Sequence, residues 1–242
     1  MINKLERLDK VLANLGYGSR KEIKAIVKKG FVTVDGEVAK DSAMQLDPEN
    51  STITVNGEEV YYRKYLYLMM NKPDGVVSAT FDKFDETVVD LLHPDHGVFQ
   101  PFPVGRLDKD TVGLLLLTND GELNHRLISP KWHVDKVYFA HIDKLVDDKD
   151  VQACLDGVVL DDGYKCLPGK LEILEASEEG SKIKLTIQEG KYHQVKRMFE
   201  SLGKKVIYLK RISFGGLNLD PDLEEGEYRE LTEEELNILK GI

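Results

Sequence analysis

Apolar positions fall first at helical spacing and then at strand spacing. Between residues 5 and 15, Leu5, Leu8, Val11, Leu12 and Leu15 recur every three or four positions, which predicts an amphipathic helix ended by Gly16 and Gly18. Ser19 with Glu22 three residues on has the spacing of a capping box. The helix it opens turns Ile23, Ile26 and Val27 inward and its lysines outward, with Gly30 as C-terminal cap. Phe31-Val32-Thr33-Val34 and Ile53-Thr54-Val55 are short β-type runs that end at Asp35-Gly36 and Asn56-Gly57, dipeptides suited to tight hairpin turns. Together these elements predict a first domain over residues 1–60.

Residues 59–64 are polar and read as a linker. Tyr65-Leu66-Tyr67-Leu68-Met69-Met70 then reads as a buried strand entering a second domain, residues 61–242. Strand patterns recur at 113–118, 136–142, 170–175, 182–188 and 206–214. Helical patterns are fewer, near 86–92, 121–128, 148–154 and 193–202. Thr232 with Glu235 opens a last short helix carrying Leu236 and Leu239. Strands that predominate without a regular alternation with helices give an α+β class.

Composition adds compartment and partner. Met1-Ile2-Asn3-Lys4 leads straight into the amphipathic pattern, and no apolar run is long enough for a leader or a membrane span, so a cytoplasmic protein is expected. Cys154 and Cys166, the two cysteines, have neither metal-ligand spacing nor a nearby histidine, and read as reduced thiols. The net charge of −10 argues against nucleic acid until its distribution is considered. Acid is concentrated between Asp220 and Glu235, whereas Arg20, Lys21, Lys24, Lys28 and Lys29, and again Lys191, Lys196, Arg197, Lys204, Lys205, Lys210 and Arg211, form basic stretches. Screening confines each field to about 10 Å, so a local basic face can bind phosphates on an acidic protein.

The first domain, with Arg7-Leu8-Asp9-Lys10-Val11-Leu12, Gly18-Ser19-Arg20-Lys21 and Gly30-Phe31-Val32-Thr33-Val34-Asp35-Gly36, resembles the S4 RNA-binding domain. Its second helix would aim Arg20, Lys21, Lys24 and Lys28 at backbone phosphates, contacts that position RNA without reading its sequence.

Three features of the second domain carry chemistry. In Gly105-Arg106-Leu107-Asp108-Lys109-Asp110-Thr111-Val112-Gly113 an acid stands between two bases on a glycine-bounded turn ahead of a buried strand, a setting that holds a carboxylate rigid and ionised for service as nucleophile or base. Tyr138, near the head of a strand, offers a ring face to a base. Glu189-Gly190-Lys191-Tyr192-His193-Gln194-Val195-Lys196-Arg197-Met198 follows a strand and opens a helix with two cations. Asp108-x-Asp110 also approaches the signature of haloacid-dehalogenase-type phosphatases. Those need a hydrophobic strand before the first aspartate, where this chain has Pro101-Phe102-Pro103-Val104-Gly105-Arg106.

These blocks, with Asn71-Lys72-Pro73-Asp74-Gly75-Val76, resemble the RsuA-type ribosomal small-subunit pseudouridine synthase family over almost the whole chain. The resemblance implies a mixed, mostly antiparallel catalytic sheet crossed by a cleft. It implies that Asp108 is the essential aspartate, Tyr138 the active-site tyrosine and Lys196 the cation paired with the aspartate. Arg106 would lie beside the flipped nucleotide, and Lys191 and Arg197 would meet RNA. The reaction breaks the N1–C1′ bond of uridine, turns the uracil and rejoins it through C5, with no cofactor or metal. Attack of Asp108 on C1′, addition to C6 and proton abstraction at C2′ all use the same carboxylate. The implied partner is ribosomal RNA, 16S in free or partly assembled form, acted on by a monomer. The alternatives are a 23S rRNA synthase and a non-catalytic S4-type assembly protein, and an Asp108→Asn variant separates the last from both enzymes.

Overall fold

The computed structural model describes residues 5–242, and Met1–Lys4, read above as lacking an apolar leader, lie outside the described residues. Two compact units appear: one runs to Leu66 and includes Leu92–Gln100, and the other comprises Tyr67–Leu91 and Pro101–Ile242.

The first unit contains β1 (Glu6–Arg7), α1 (Leu8–Asn14), α2 (Arg20–Lys28), β2 (Val32–Val34), β3 (Glu37–Val38), β4 (Gln45–Leu46), β5 (Ile53–Val55) and β6 (Glu58–Val60). The capping box at the head of α2 forms as the spacing predicts: Glu22 N–H donates to Ser19 Oγ, and Ser19 N–H donates to Glu22 Oε2 at 2.7 Å. Both hairpin turns take positive φ at their Asp-Gly and Asn-Gly pairs. Leu8, Leu12, Ile23, Val32 and Ile53 fill one core.

Two expectations are corrected here. The first helix starts at Leu8, not Leu5, because Glu6–Arg7 pairs with β4 as a strand and leaves Leu5 exposed. Nor are residues 59–64 wholly linker: β6 adds to β5 and buries Val60.

The second unit contains β7 (Tyr67–Lys72), β8 (Phe102–Pro103), β9 (Val112–Thr118), α4 (Gly121–Ile128), β10 (Lys136–Ile142), α5 (Asp148–Asp156), β11 (Lys170–Ser177), β12 (Gly180–Ile187), α6 (Gln194–Ser201), β13 (Val206–Phe214), β14 (Leu217–Asn218), β15 (Tyr228–Glu230) and α7 (Glu233–Lys240). A further short helix, α3 (Pro94–Gly97), falls in the segment that groups with the first unit. The sheet runs β11-β12-β10-β13-β9-β7-β15, with β14 on β13 and β8 on β9. Among the described strands only β9 and β13 pair in parallel, so the sheet is mixed and mostly antiparallel.

Every residue of β9 is buried, as befits a strand covered on both faces. Leu114 and Leu116 pack with Leu123 and Leu127 of α4 and Leu239 of α7. The helix expected near 86–92 is absent. Thr87 instead bridges Val77, and its N–H and hydroxyl both donate to Asp90 Oδ2 at 2.8 Å, a local turn that competes with helix.

Candidate active site

The site is built where three chain segments meet on the second unit: the turn before β9, the middle of the sheet, and the start of α6. The turn at residues 105–111 is held almost entirely through its backbone. Lys72, at the end of β7, has no exposed surface, and its Nζ donates to Pro73 O (2.9 Å), Lys109 O (3.1 Å) and Thr111 O (3.0 Å). Ser78 Oγ donates to Leu107 O at 2.9 Å and accepts from Leu107 N–H. Gly75 N–H donates to Lys109 O, and Lys109 Nζ pairs with Asp85 at 2.6 Å. These contacts to Leu107, Lys109 and Thr111 brace the loop that presents Asp108. Burial pushes the Lys72 ammonium down to about 8, against the pull of Asp74, Asp110 and Asp108.

Gly113 follows directly, at φ +100, and lets β9 run beside β13: a Cβ there would lie 2.3 Å from the Arg211 carbonyl oxygen. On the other side of β13, Tyr138 of β10 pairs with Arg211, and the register slips between Val137 and Tyr138. Such a bulge re-aims a side chain at a site. Tyr138 is buried.

Before α6, His193 adopts the left-handed region (φ +48) and stacks on Tyr192, with ring centroids 3.8 Å apart. Its Nε2 lies 3.6 Å from Asp108 Oδ1. From the first turn of α6, Lys196 reaches both acids of the turn before β9: its Nζ is 3.3 Å from Asp108 Oδ2 and 2.5 Å from Asp110 Oδ1. Burial alone would lower the Lys196 ammonium, but the hydrogen bond to Asp110 and the two negative charges prevail and raise it.

Asp108, Arg106, Tyr138, His193 and Lys191 line a small chamber of about 60 Å³. It adjoins a larger one of about 530 Å³, which shares Arg106, Tyr138 and Lys191 and adds Lys136, Arg211 and Phe214. Arg211 lies with its guanidinium over the Phe214 ring, and its Nε donates to Leu114 O at 2.8 Å. A carboxylate beside an aromatic wall and a cationic rim can hold an extruded base and attack it.

The structure thus brings Asp108, Tyr138, Lys196, Arg106 and Lys191 together. Arg197 stands apart: it pairs with Asp161 and, at 2.7 Å, with Asp162, and lines neither chamber. Arg20, Lys21, Lys24 and Lys28 are exposed on one side of α2, opposite buried Ile23 and Val27. Lys72, Asp110, His193 and Arg211 were not singled out for the site from sequence. Lys72 left one signal, a lysine closing an otherwise apolar buried strand.

Comparison with known proteins agrees with this geometry. The family model described as RNA pseudouridylate synthase matches residues 66–201, and the S4 domain model matches residues 6–51. A protein of Bacillus subtilis (strain 168) named Uncharacterized RNA pseudouridine synthase YtzG is 57% identical, the match covering 96% of this chain and 98% of that one. Ribosomal small subunit pseudouridine synthase A of Vibrio cholerae is 42% identical over 95% of this chain and 97% of its own length. Ribosomal large subunit pseudouridine synthase B of Bacillus subtilis is 39% identical over 98% and 97%. A solved structure described as a pseudouridylate synthase superposes with a TM-score of 0.68 at 37% identity, covering 96% of this chain and 99% of that one. With an S4 domain ahead of this catalytic sheet, the chain belongs to the RNA pseudouridylate synthase family and is a pseudouridine synthase.

Proposed function

We propose that this enzyme isomerises one uridine of ribosomal RNA, in the 16S molecule, with Asp108 as nucleophile and no cofactor. The observation that carries the reading is the convergence of Asp108, Tyr138 and Arg106 on one chamber, with Lys196 Nζ 3.3 Å from the Asp108 carboxylate. Asp108 adds to the sugar or the base, or takes the C2′ proton. Lys196 holds it in place, and Tyr138 stacks on the extruded uracil and helps to pass the C5 proton to solvent. Extruding a base costs a few kcal/mol. Phosphate contacts from Arg106 and Lys191, and from Arg20, Lys21, Lys24 and Lys28 of the S4 domain, offset that cost.

We assign RNA gripping to residues 1–60 and chemistry to residues 61–242, acting in the cytoplasm as a monomer; among the described residues no helix is long and apolar enough to cross a membrane. The small-subunit target is favoured by the V. cholerae relative at 42% identity. The large-subunit enzyme at 39% over equal coverage keeps 23S rRNA as the second reading.

The test is tritium release from 5-³H-uridine-labelled 16S and 23S rRNA, each free and bound by ribosomal proteins, with and without EDTA, for wild type and Asp108→Asn. Release from 16S alone, surviving EDTA and abolished in the variant, is expected. Release from 23S alone transfers the assignment to the large subunit, and activity in Asp108→Asn removes the nucleophile.

A further inference from the structure

Lys196 is shared unequally. The shorter contact, 2.5 Å, goes to Asp110, and the 3.3 Å contact goes to Asp108. Both acids stand on the same braced turn. Their surroundings differ: the Asp110 side chain is 68% exposed and that of Asp108 27%, while Lys196 is only 18% exposed. The other ionisable groups around the trio are Lys72 beneath the turn, His193 before α6, and Arg106, Lys191 and Tyr138 along the chamber wall.

The charge ledger of the reaction explains why a second acid is needed. If Asp108 attacks C1′, a C–O bond forms as the N1–C1′ pair leaves with the uracil. If it adds to C6, the ring takes up the charge. If it removes the C2′ proton, that electron pair forms the C1′=C2′ bond and the N1–C1′ pair again leaves with the uracil. Each route leaves Asp108 neutral and moves the negative charge onto the base. An ammonium as enclosed as Lys196 is costly without a counterion.

We propose that Asp110 is a positioning residue that keeps Lys196 protonated and within reach of Asp108 while Asp108 gives up its own charge. Asp110 is suited to this because its solvated carboxylate remains ionised throughout. The hydrogen bond from Lys196, working against partial burial, holds it below the usual carboxylate range. The proposal rests on Asp108 being the nucleophile.

The test compares wild type, Asp110→Asn, Asp110→Glu, Lys196→Arg and the Asp110→Asn/Lys196→Arg pair. Tritium release is measured at saturating and limiting rRNA between about pH 6 and about pH 10. Asp110→Asn should lower kcat about tenfold near neutrality, with KM little changed. Its alkaline limb should move to lower pH, because Lys196 has lost an anion that favours its charged form. Asp110→Glu should restore most of the rate. With Lys196→Arg, whose guanidinium does not titrate in this range, Asp110→Asn should leave the alkaline limb in place.

An unchanged kcat in Asp110→Asn, or a slower rate whose alkaline limb lies no lower than that of wild type, overturns the proposal. Wild-type activity in Asp108→Asn overturns the reading beneath it, whatever Asp110 does.

Discussion

At the scale of single residues, the turn that presents Asp108 depends on a lysine with no solvent contact. Lys72→Met removes the donor from three backbone carbonyls and should cost about 2 kcal/mol at neutral pH. The pH dependence adds a sharper test. The Lys72 ammonium falls to about 8 in the native state from an ordinary value of 10.5, first because it is buried. Between those values the unfolded chain binds more protons, so raising the pH favours the native wild type, whereas the methionine variant gains nothing there. Urea midpoints of both proteins at about pH 7.5 and about pH 9.5 should therefore diverge, and a constant gap would refute the assignment. Sequence pointed to Asp108, Tyr138 and Lys196 as candidates because their residue types and local blocks are distinctive. It did not show that Lys196 is closer to Asp110, since that depends on side-chain reach across 86 residues. Nor did it show that Arg197, one helical step of about 100° round from Lys196, turns to Asp161 and Asp162.

Among elements, β9 and β13 form the critical joint. Gly113→Ala places a methyl 2.3 Å from the Arg211 carbonyl oxygen at a φ that L-residues avoid. The substitution should destabilise the chain by about 3 kcal/mol or more. It should also depress turnover beyond the loss of folded protein, because it shifts the turn before β9. Denaturant unfolding together with kcat per folded molecule tests both, and a variant within 1 kcal/mol of wild type by that estimate would sink the argument. Strands and capped helices were legible where local chemistry decides them: Ser19–Glu22 and Thr232–Glu235 both close their boxes, and β10 and α4 fall where their periodicity puts them. Misreadings occurred where a distant partner decides. Glu6–Arg7 becomes a strand only because β4 is there to pair with it, and residues 86–92 lose their helix to the Thr87–Asp90 turn and the bridge to Val77. The β13–β9 neighbourhood, joining strands far apart in sequence, has no local signature.

For the whole molecule, net charge is a poor guide to partner. The acidic C-terminal stretch is partly spent internally: Arg229 pairs with Asp220 and, through two nitrogens, with Glu235, fastening α7 to the sheet edge. The exposed cations of α2 remain. Replacing Arg20, Lys21, Lys24 and Lys28 together with Gln should weaken rRNA binding for every sequence alike. It should also flatten the dependence of log Kd on log salt by about 3 if all four meet phosphates. Filter binding across a salt series measures this, and an unaltered slope would show that RNA does not lie along α2. The parallel pairing of β9 with β13 has a consequence for the newborn chain. The strands and helices from β1 to β6 are all made by Val60, while β13 and the cation of α6 emerge only near the end of synthesis. Under the proposed division of labour, a nascent chain would carry its grip on RNA long before its chemistry, and partly made copies would hold a transcript without altering it.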